Sequence, residues 1–313
     1  WRHTTDWGHR SNLPSGGTMG IYVTFWGVRG SIPTPGHATQ RYGGNTACIE
    51  VLAGEELFIL DGGSGLRRLG QDIVHRQGHP SIKAHLLFSH SHWDHIQGFP
   101  FFIPAYSGDS VMKIYGTNAD DRKIFELLHG QMQDRYFPVQ FSDLGSHIQP
   151  DHLNNGPKDI NGVVVDFFNT HHPGGSLAYS ISYKGKKVIY STDNELDMLL
   201  LNRDESLEDP SIPRRAPQDL LDFFKDADLV IADGQYTDKE YPSKINWGHA
   251  RANTLVDVCL EAQVKNLAVT HHDPMHSDDV VDKKIQECRE RVVRFNGNLT
   301  VFGAREGITL KYA

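Results

Sequence analysis

Three histidines and one aspartate are concentrated in the stretch Ser89–His95, which reads Ser-His-Ser-His-Trp-Asp-His. Neutral imidazole and carboxylate are good ligands for zinc and similar divalent metals. The preceding apolar run, Ala84–Phe88, predicts a buried strand, and continued alternation places His90 and His92 on the same side. Asp94 and His95 follow on a turn and can face a second ion. Four candidate ligands in one loop exceed what a tetrahedral zinc needs once distant residues contribute, so a two-metal site is predicted.

Other candidate ligands follow strands elsewhere in the chain. The predicted strands are Val163–Phe168, Lys187–Tyr190, Leu229–Ala232 and Asn266–Thr270. The polar side chains just after them are His171, His172, Asp193, Asp233, His271 and His272. A hairpin predicted from Thr46 to Leu60 ends at Asp61, which we expect to be hydrogen-bonded near the histidine loop.

The composition limits the class of protein. With 313 residues, 38% hydrophobic and 22% charged, the chain can bury a sizeable core and is not disordered. The net charge of −8 argues against a broad nucleic-acid-binding face. No apolar run approaches the about 20 residues of a membrane span. Three scattered cysteines, Cys48, Cys259 and Cys288, predict core thiols in a reducing, cytoplasmic compartment.

The first residues differ from the rest of the chain. Residues 1–18 are polar, lack the apolar segment of a secretory signal and begin without Met. We interpret them as a leader that is expression-derived or translated from upstream, with Met19 as the natural start. No linker rich in Gly, Pro or Ser divides the remainder, so residues 19–313 are predicted to form a single domain.

The spacing His90-x-His92-x-Asp94-His95 resembles the signature of the metallo-β-lactamase superfamily. The stretches Phe25-Trp-Gly-Val-Arg-Gly-Ser-Ile-Pro and Tyr42-Gly-Gly-Asn-Thr resemble the opening of one of its branches. That branch includes phosphoribosyl cyclic phosphodiesterases and, more distantly, the endonuclease that trims transfer-RNA 3′ ends. The resemblance covers essentially residues 19–313 and implies an α/β (α+β) fold, the four-layer αββα sandwich, with metals at one rim between the sheets.

The resemblance also implies which distant residues bind metal. His172 fits a family position because Pro173 follows it and Tyr179 lies seven residues further on, with His171 as the alternative. Asp193 resembles the carboxylate that bridges two metals, the alternative being an Asx-type turn.

The strand Asn266–Thr270 ends at His271, which matches the family's final histidine. His272 is the nearer alternative to it and His276 a distant one.

Two ligand sets follow from this assignment. One ion is expected at His90, His92, His172 and Asp193, and the other at Asp94, His95, Asp193 and His271. Neither set contains sulfur, so zinc is the first choice, with manganese, iron or cobalt as alternatives. A loop of solvated histidines is the competing interpretation, because the chain contains 18 histidines.

His249 is assigned a different task. It lies in Trp247-Gly-His-Ala, where the phosphodiesterase branch has a Gly-His-Ser-Thr stretch whose histidine protonates the leaving oxygen. Ala250-Arg251 replaces Ser-Thr here, but the imidazole is retained. Asp233 matches a carboxylate that orients this histidine and so sets its tautomer. The alternative is a histidine near a helix start with no catalytic role.

The predicted function is a dinuclear metal-dependent phosphodiesterase in which a metal-bridging hydroxide attacks and Asp94, His249 and Asp233 serve catalysis. A small or cyclic phosphodiester is expected as the substrate, because the chain is acidic and has no extended Gly/Pro-rich arm for transfer RNA. No membrane partner is expected, and a homodimer is left open. The nearest alternative is hydrolysis of a lactone, β-lactam or thioester at the same metals. A di-iron oxidoreductase, which usually carries Glu at the position of His92, and a non-catalytic metal-binding module are more remote.

Overall fold

The computed structural model describes residues 20–116, 121–153 and 156–313. The leader predicted for residues 1–18 and the start predicted at Met19 lie outside these described residues. Within them, the helices are α1 (Gly65–Gln77), α2 (Trp93–Ile96), α3 (Asp121–Gln131), α4 (Arg203–Glu208), α5 (Gln218–Phe224), α6 (Ala252–Glu261) and α7 (Asp278–Arg294).

The strands form two groups of seven. The first group is β1 (Ile21–Gly27), β2 (Cys48–Ala53), β3 (Glu56–Leu60), β4 (Lys83–Leu87), β5 (Val111–Tyr115), β6 (His147–Pro150) and β14 (Thr309–Tyr312). The second is β7 (Lys158–Ile160), β8 (Val163–Thr170), β9 (Ser176–Tyr183), β10 (Lys186–Ser191), β11 (Leu229–Asp233), β12 (Asn266–Thr270) and β13 (Thr300–Gly303). Short 3-10 helices occupy His37–Thr39, Phe99–Phe101, Ile103–Tyr106, Phe141–Asp143, Leu196–Leu199 and Tyr241–Ser243.

Each group of strands forms one mixed sheet. The first sheet has the order β14-β1-β2-β3-β4-β5-β6, antiparallel from β14 to β3 and parallel from β3 to β6. The second has the order β13-β12-β11-β10-β9-β8-β7, parallel from β13 to β10 and antiparallel from β10 to β7. The hairpin predicted before Asp61 is confirmed as the antiparallel pair β2–β3.

Alternation along the strands builds four layers. In β3, Phe58 and Leu60 enter a core shared by both sheets, whereas Ile59 packs into the cluster that contains residues of α1 and α3. In β10, Val188 and Tyr190 enter the shared core, whereas Ile189 packs with residues of α5, α6 and α7. Because side chains alternate between the two faces of a strand, each sheet covers one side of the shared core and carries helices outside. The predicted αββα sandwich is confirmed.

The strand directions bring the polar residues to one rim. The strands β8, β10, β11 and β12 all run the same way, since β8 and β10 each pair antiparallel with β9 and the other neighbours are parallel. Their carboxyl ends therefore share one edge of the second sheet, and β4 brings the histidine loop from the first sheet. No helix in the described ranges combines the length and the apolar character needed to cross a membrane.

Candidate metal centre

Side-chain atoms that can bind metal gather in three overlapping groups at this rim. Within each group, one ligand atom from every residue lies within 4.8 Å of the others. The groups are His90, His92, His172 and Asp193, then Asp94, His95 and His271, then Asp193, Asp233, His249 and His271. The structure thus brings together every residue for which the sequence predicted a role in metal binding or catalysis.

Asp193 lies between the first two groups. Its Oδ1 is 3.7 Å from Nε2 of His90 and 3.7 Å from Nε2 of His172. Its Oδ2 is 3.1 Å from Nε2 of His95 and 3.3 Å from Nε2 of His271. The residue has a φ of 47°, an unusual backbone conformation for a residue other than Gly. Each carboxylate oxygen therefore faces a different set of imidazoles, which is the arrangement a bridging ligand requires.

Hydrogen bonds at Nδ1 determine the tautomers of His90 and His95. The Nδ1–H of His95 donates to Oδ2 of Asp61 over 2.8 Å. The Ser89 hydroxyl donates to the same carboxylate, so it accepts from Nδ1 of His90 at 3.1 Å. When the rings are neutral both Nε2 atoms carry a lone pair, and both are buried without a hydrogen-bond partner among the described residues. Buried polar atoms are rarely left unpaired, so these two nitrogens fit metal ligands.

His172 and His271, which follow strands of the second sheet, also form a hydrogen bond through Nδ1. Nδ1 of His172 donates to the carbonyl oxygen of Gly248 over 3.0 Å, and Nδ1 of His271 donates to Oε1 of Gln235 over 3.0 Å. Nε2 of His172 then lies only 3.2 Å from Nδ1 of His92. Two nitrogens this close need a proton or a cation between them, so this contact also fits a shared metal ion.

The charges at the rim favour bound cations. Burial alone would raise the pKa of Asp94, but the neighbouring His95 and His271 hold it well below its usual range. The pKa of buried Asp193 is likewise held well below its usual range, chiefly by His271 and His95. Burial and the neighbouring His95 lower the pKa of His90 well below its normal value. Burial disfavours the charged rings of His95 and His271, but the surrounding carboxylates outweigh it and raise the pKa of both, so bound cations would take the place of these protons.

The alternative histidines lie outside the groups. The side chain of His171 is exposed, and its backbone carbonyl accepts from the backbone N–H of Glu195. His272 is buried, with Nε2 3.3 Å from the carbonyl oxygen of Ala304. Nε2 of His276 lies 2.8 Å from Glu240. The backbone after each strand therefore turns one histidine of each adjacent pair into the rim and the other away from it.

His249 lies beside the two groups of proposed metal ligands. Its Nδ1–H donates to Oδ2 of Asp233 over 2.7 Å, and the same Nδ1 is 3.8 Å from Oδ1 of Asp193. Burial disfavours the charged imidazolium, but Asp233 and the other carboxylates outweigh this and raise the pKa of His249 to about 9. A histidine that keeps its proton at neutral pH can act as an acid.

Two glycines allow the imidazoles to approach the backbone. A Cβ at Gly30 would lie 2.4 Å from ring atoms of His271. A Cβ at Gly248 would lie 2.1 Å from Nδ1 of His172, and Gly248 also has a φ of +87°. Such distances are far below van der Waals contact, so side chains at these positions would displace the rings.

Two residues that the sequence analysis missed support the site. Glu195 is fully buried and accepts hydrogen bonds from the backbone N–H groups of Asn246 and Gly248, next to His249. The backbone N–H of Ser31 donates to Oδ2 of Asp94 over 2.7 Å. No spacing rule connects either residue to the metal loop. The only signal was the position of Glu195 two residues after Asp193.

The fold and the rim together define a class of protein. Two face-to-face sheets with helices outside carry two sets of nitrogen and oxygen ligands, and each carboxylate oxygen of Asp193 faces one set. This is the architecture of a dinuclear metallohydrolase. The chain belongs to the family described as the beta-lactamase superfamily domain, whose sequence pattern matches residues 58–272. The predicted superfamily and the class of metal-dependent hydrolase are confirmed, and the family and the two residue groups support two divalent ions.

Known proteins similar to the chain include a ribonuclease Z and two solved structures of the same fold. The chain is 24% identical over 293 residues to ribonuclease Z of Methanosarcina acetivorans, and the match covers 83% of this chain and 90% of that protein. The metallo-β-lactamase fold protein YhfI of Bacillus subtilis superimposes with a TM-score of 0.64 at 18% identity, covering 93% of this chain and 99% of that one. The short form of human tRNase Z superimposes with a TM-score of 0.60 at 16% identity, covering 92% and 98%.

These relatives correct one expectation. A small-molecule partner and the absence of a broad nucleic-acid-binding face were predicted from the acidic charge and the missing Gly/Pro-rich arm, and that prediction is wrong, because relatives of the chain are named ribonuclease Z. Net charge sums the whole surface, whereas a phosphate group responds to the field where it binds. Cations at the rim would supply that local positive charge whatever the sign of the remaining surface.

Proposed function

We propose that this chain is a metal-dependent phosphodiester hydrolase that cleaves RNA. The observation that carries the proposal is the position of Asp193, with one carboxylate oxygen toward each group of imidazoles. The similarity to proteins named ribonuclease Z supports RNA as the substrate class.

Each proposed ligand set takes residues from both sheets. The first ion would be held by His90, His92, His172 and Asp193, and the second by Asp94, His95, His271 and Asp193. When bound, two divalent ions of this kind supply Lewis acidity to a phosphoryl oxygen and lower the pKa of water. The hydrogen bonds at Nδ1 keep His90, His95, His172 and His271 in the tautomer that presents Nε2, and Asp61 holds the ring of His95 in place.

His249 is proposed to donate a proton to the departing oxygen. Asp233 accepts from Nδ1, so the ring is held in one orientation and the second proton of the imidazolium is carried by Nε2. Burial of the pair excludes water from the Asp233 side, because the Asp233 side chain has no exposed surface. The ribose oxygen released from a phosphodiester is a poor leaving group and needs such an acid.

The test uses the protein loaded with zinc and a short unstructured RNA labelled at one end. We expect cleavage that depends on metal and is lost in His172→Ala. His171→Ala is the matched control, because its side chain is exposed one position earlier and should leave cleavage intact. Failure to cleave RNA, together with hydrolysis of a lactone or thioester, would contradict the proposal.

Two further features are proposed with this function. Residues 19–313 are proposed to form one domain, because both sheets contribute to one shared core. A cytoplasmic location is proposed because Cys48, Cys259 and Cys288 are free and buried, as in proteins of reducing compartments. Labelling the thiols after denaturation, with and without reductant, tests the second point.

A further inference from the structure

Two exposed tryptophans flank the proposed metal ligands. The side chains of Trp93 and Trp247 are 66% and 57% exposed, which is unusual for such large apolar groups. Trp93 directly follows His92, and Trp247 directly precedes Gly248. His172 links the two sides, because its Nε2 lies 3.2 Å from His92 and its Nδ1 donates to the Gly248 carbonyl oxygen. Each indole is therefore next in sequence to a residue that contacts one of the two ring nitrogens of His172.

The backbone on both sides of Trp247 is held by one buried carboxylate. The N–H of Asn246 donates to Oε1 of Glu195 and the N–H of Gly248 donates to Oε2, both over 2.8 Å. The hydroxyl of Tyr241 donates to Oε1 as well, over 2.7 Å. Burying a carboxylate is costly unless it is hydrogen-bonded, and here the hydrogen bonds are directed at the turn that carries the indole. Trp247 is thus exposed but held in a defined position.

A cation accompanies this indole. Nζ of Lys244 lies 4.0 Å from the centroid of the Trp247 ring, within the range of a cation–π contact. The backbone N–H of Trp247 also donates to the carbonyl oxygen of Lys244 over 3.1 Å. An aromatic surface next to a positive charge matches the two parts of a nucleotide, its base and its phosphate.

We propose that Trp247 and Trp93 are stacking sites for unpaired nucleobases on the two sides of the phosphodiester that is cleaved. The inference deepens the proposed function and depends on it, since single-stranded RNA is the ligand in both. Stacking on aromatic side chains is sequence-tolerant because every base has a π-face. A protein or lipid partner would need a continuous apolar surface, whereas these indoles are separated by polar imidazoles.

The experiment compares two oligonucleotides of the same length and charge. One is a fluorescein-labelled single-stranded RNA of six nucleotides, and the other has the same backbone without bases. Binding to the zinc-loaded protein is read by stopped-flow anisotropy, before cleavage occurs. Trp247→Ala should weaken binding of the RNA by about ten- to a hundredfold and leave the abasic backbone unaffected. Trp93→Ala should act in the same direction, and Trp247→Phe should retain most of the affinity.

Val293→Ala is the control, because Val293 is also apolar and 75% exposed but lies in the last turn of α7. The stacking proposal would be overturned if the tryptophan variants lost equal affinity for both oligonucleotides or lost none for either. It would also be overturned if the wild type bound both oligonucleotides with equal affinity. Base-selective binding without RNA cleavage would instead contradict the hydrolase proposal alone. Cleavage without base selectivity would overturn this inference and leave the hydrolase proposal standing.

Discussion

Nδ1 of His249 lies 2.7 Å from Oδ2 of Asp233, and the ring of His249 stacks on the ring of His271 at a centroid distance of 5.0 Å. The proposed acid is therefore oriented by one carboxylate and lies beside a proposed metal ligand. Because Nδ1 is occupied, the atom of His249 that can deliver a proton is Nε2. The catalytic predictions below rest on this relationship.

Replacement of His249 tests its role as the acid. His249→Ala should lower kcat by about 10²–10⁴-fold while both metal ions are retained, because only the proton donor is lost. The loss should be much smaller for a nitrophenyl phosphodiester, whose leaving group departs without a proton. Steady-state kinetics on both substrates, with metal analysis of the variant, provide the measurement. An equal loss on both substrates would show that His249 positions the substrate instead.

Replacement of Asp233 should change the pH dependence. The carboxylate raises the pKa of His249, so Asp233→Asn should lower that pKa. A general acid is active only while protonated, so the fall in kcat on the alkaline side should move to lower pH in the variant. Profiles of kcat against pH for the two proteins measure the shift. If kcat falls at the same alkaline pH in both proteins, that fall does not report loss of the proton from His249.

The number of bound metal ions should show whether Asp193 is a ligand of both. Asp193→Ala removes an oxygen from both groups and should impair binding of both ions, whereas His95→Ala should mainly affect the second. Elemental analysis after saturation with zinc and desalting gives the number of ions per chain, which should approach two for the wild type. His272→Ala serves as the control, since its ring faces Tyr42 outside the groups. Loss of only one ion in Asp193→Ala would contradict a bridging role.

A methyl group at residue 248 should disturb the site without replacing any proposed ligand. Gly248→Ala places Cβ 2.1 Å from Nδ1 of His172 and requires a φ of +87° that Ala adopts poorly. We expect weaker binding of the ion that involves His172 and a matching loss of activity. Zinc titration and circular dichroism distinguish this from unfolding. Gly174→Ala is a matched control, since its φ is +85° but no atom lies within 4 Å of the added Cβ. Similar metal loss in both variants would assign the effect to backbone strain.

Buried Lys284 should make stability depend on pH. Burial lowers the pKa of Lys284 to about 8, while its ammonium donates to the carbonyl oxygens of Gly234 and Gln235. Because the folded pKa is below the unfolded value, the unfolded chain binds more protons above about pH 8, so the Lys284 contribution to stability rises with pH.

Lys284→Met should remove about 2 kcal/mol of the rise in unfolding free energy between pH 8 and pH 10. Urea unfolding of wild type and variant at both pH values gives this difference. Lys265→Met is the exposed control, because Lys265 is paired with Asp228 at the surface. An identical pH dependence in wild type and Lys284→Met would show that the buried amine keeps an ordinary pKa.

The sequence by itself determined the local parts of the site. His90, His92, Asp94 and His95 lie in one loop, so their proximity needs no tertiary information. The short apolar runs of β3 and β12 were also sufficient to predict those strands with the observed bounds, because a strand buried on both faces is apolar along its length. The order of strands and helices, with the resemblance to a known family, indicated the sandwich.

Only the tertiary structure decided how distant residues meet. His172 and His271 face the rim, whereas His171 is exposed and His272 is buried away from the rim. The backbone torsion after a strand determines the side to which each ring points. The tertiary structure also assigned Asp61, Gln235 and Gly248 as partners of the Nδ1 atoms, and Glu195 as the anchor of the turn around Trp247. These contacts join residues far apart in the chain. No local period encodes them, because they arise only when the carboxyl ends of strands from two sheets are packed against one core.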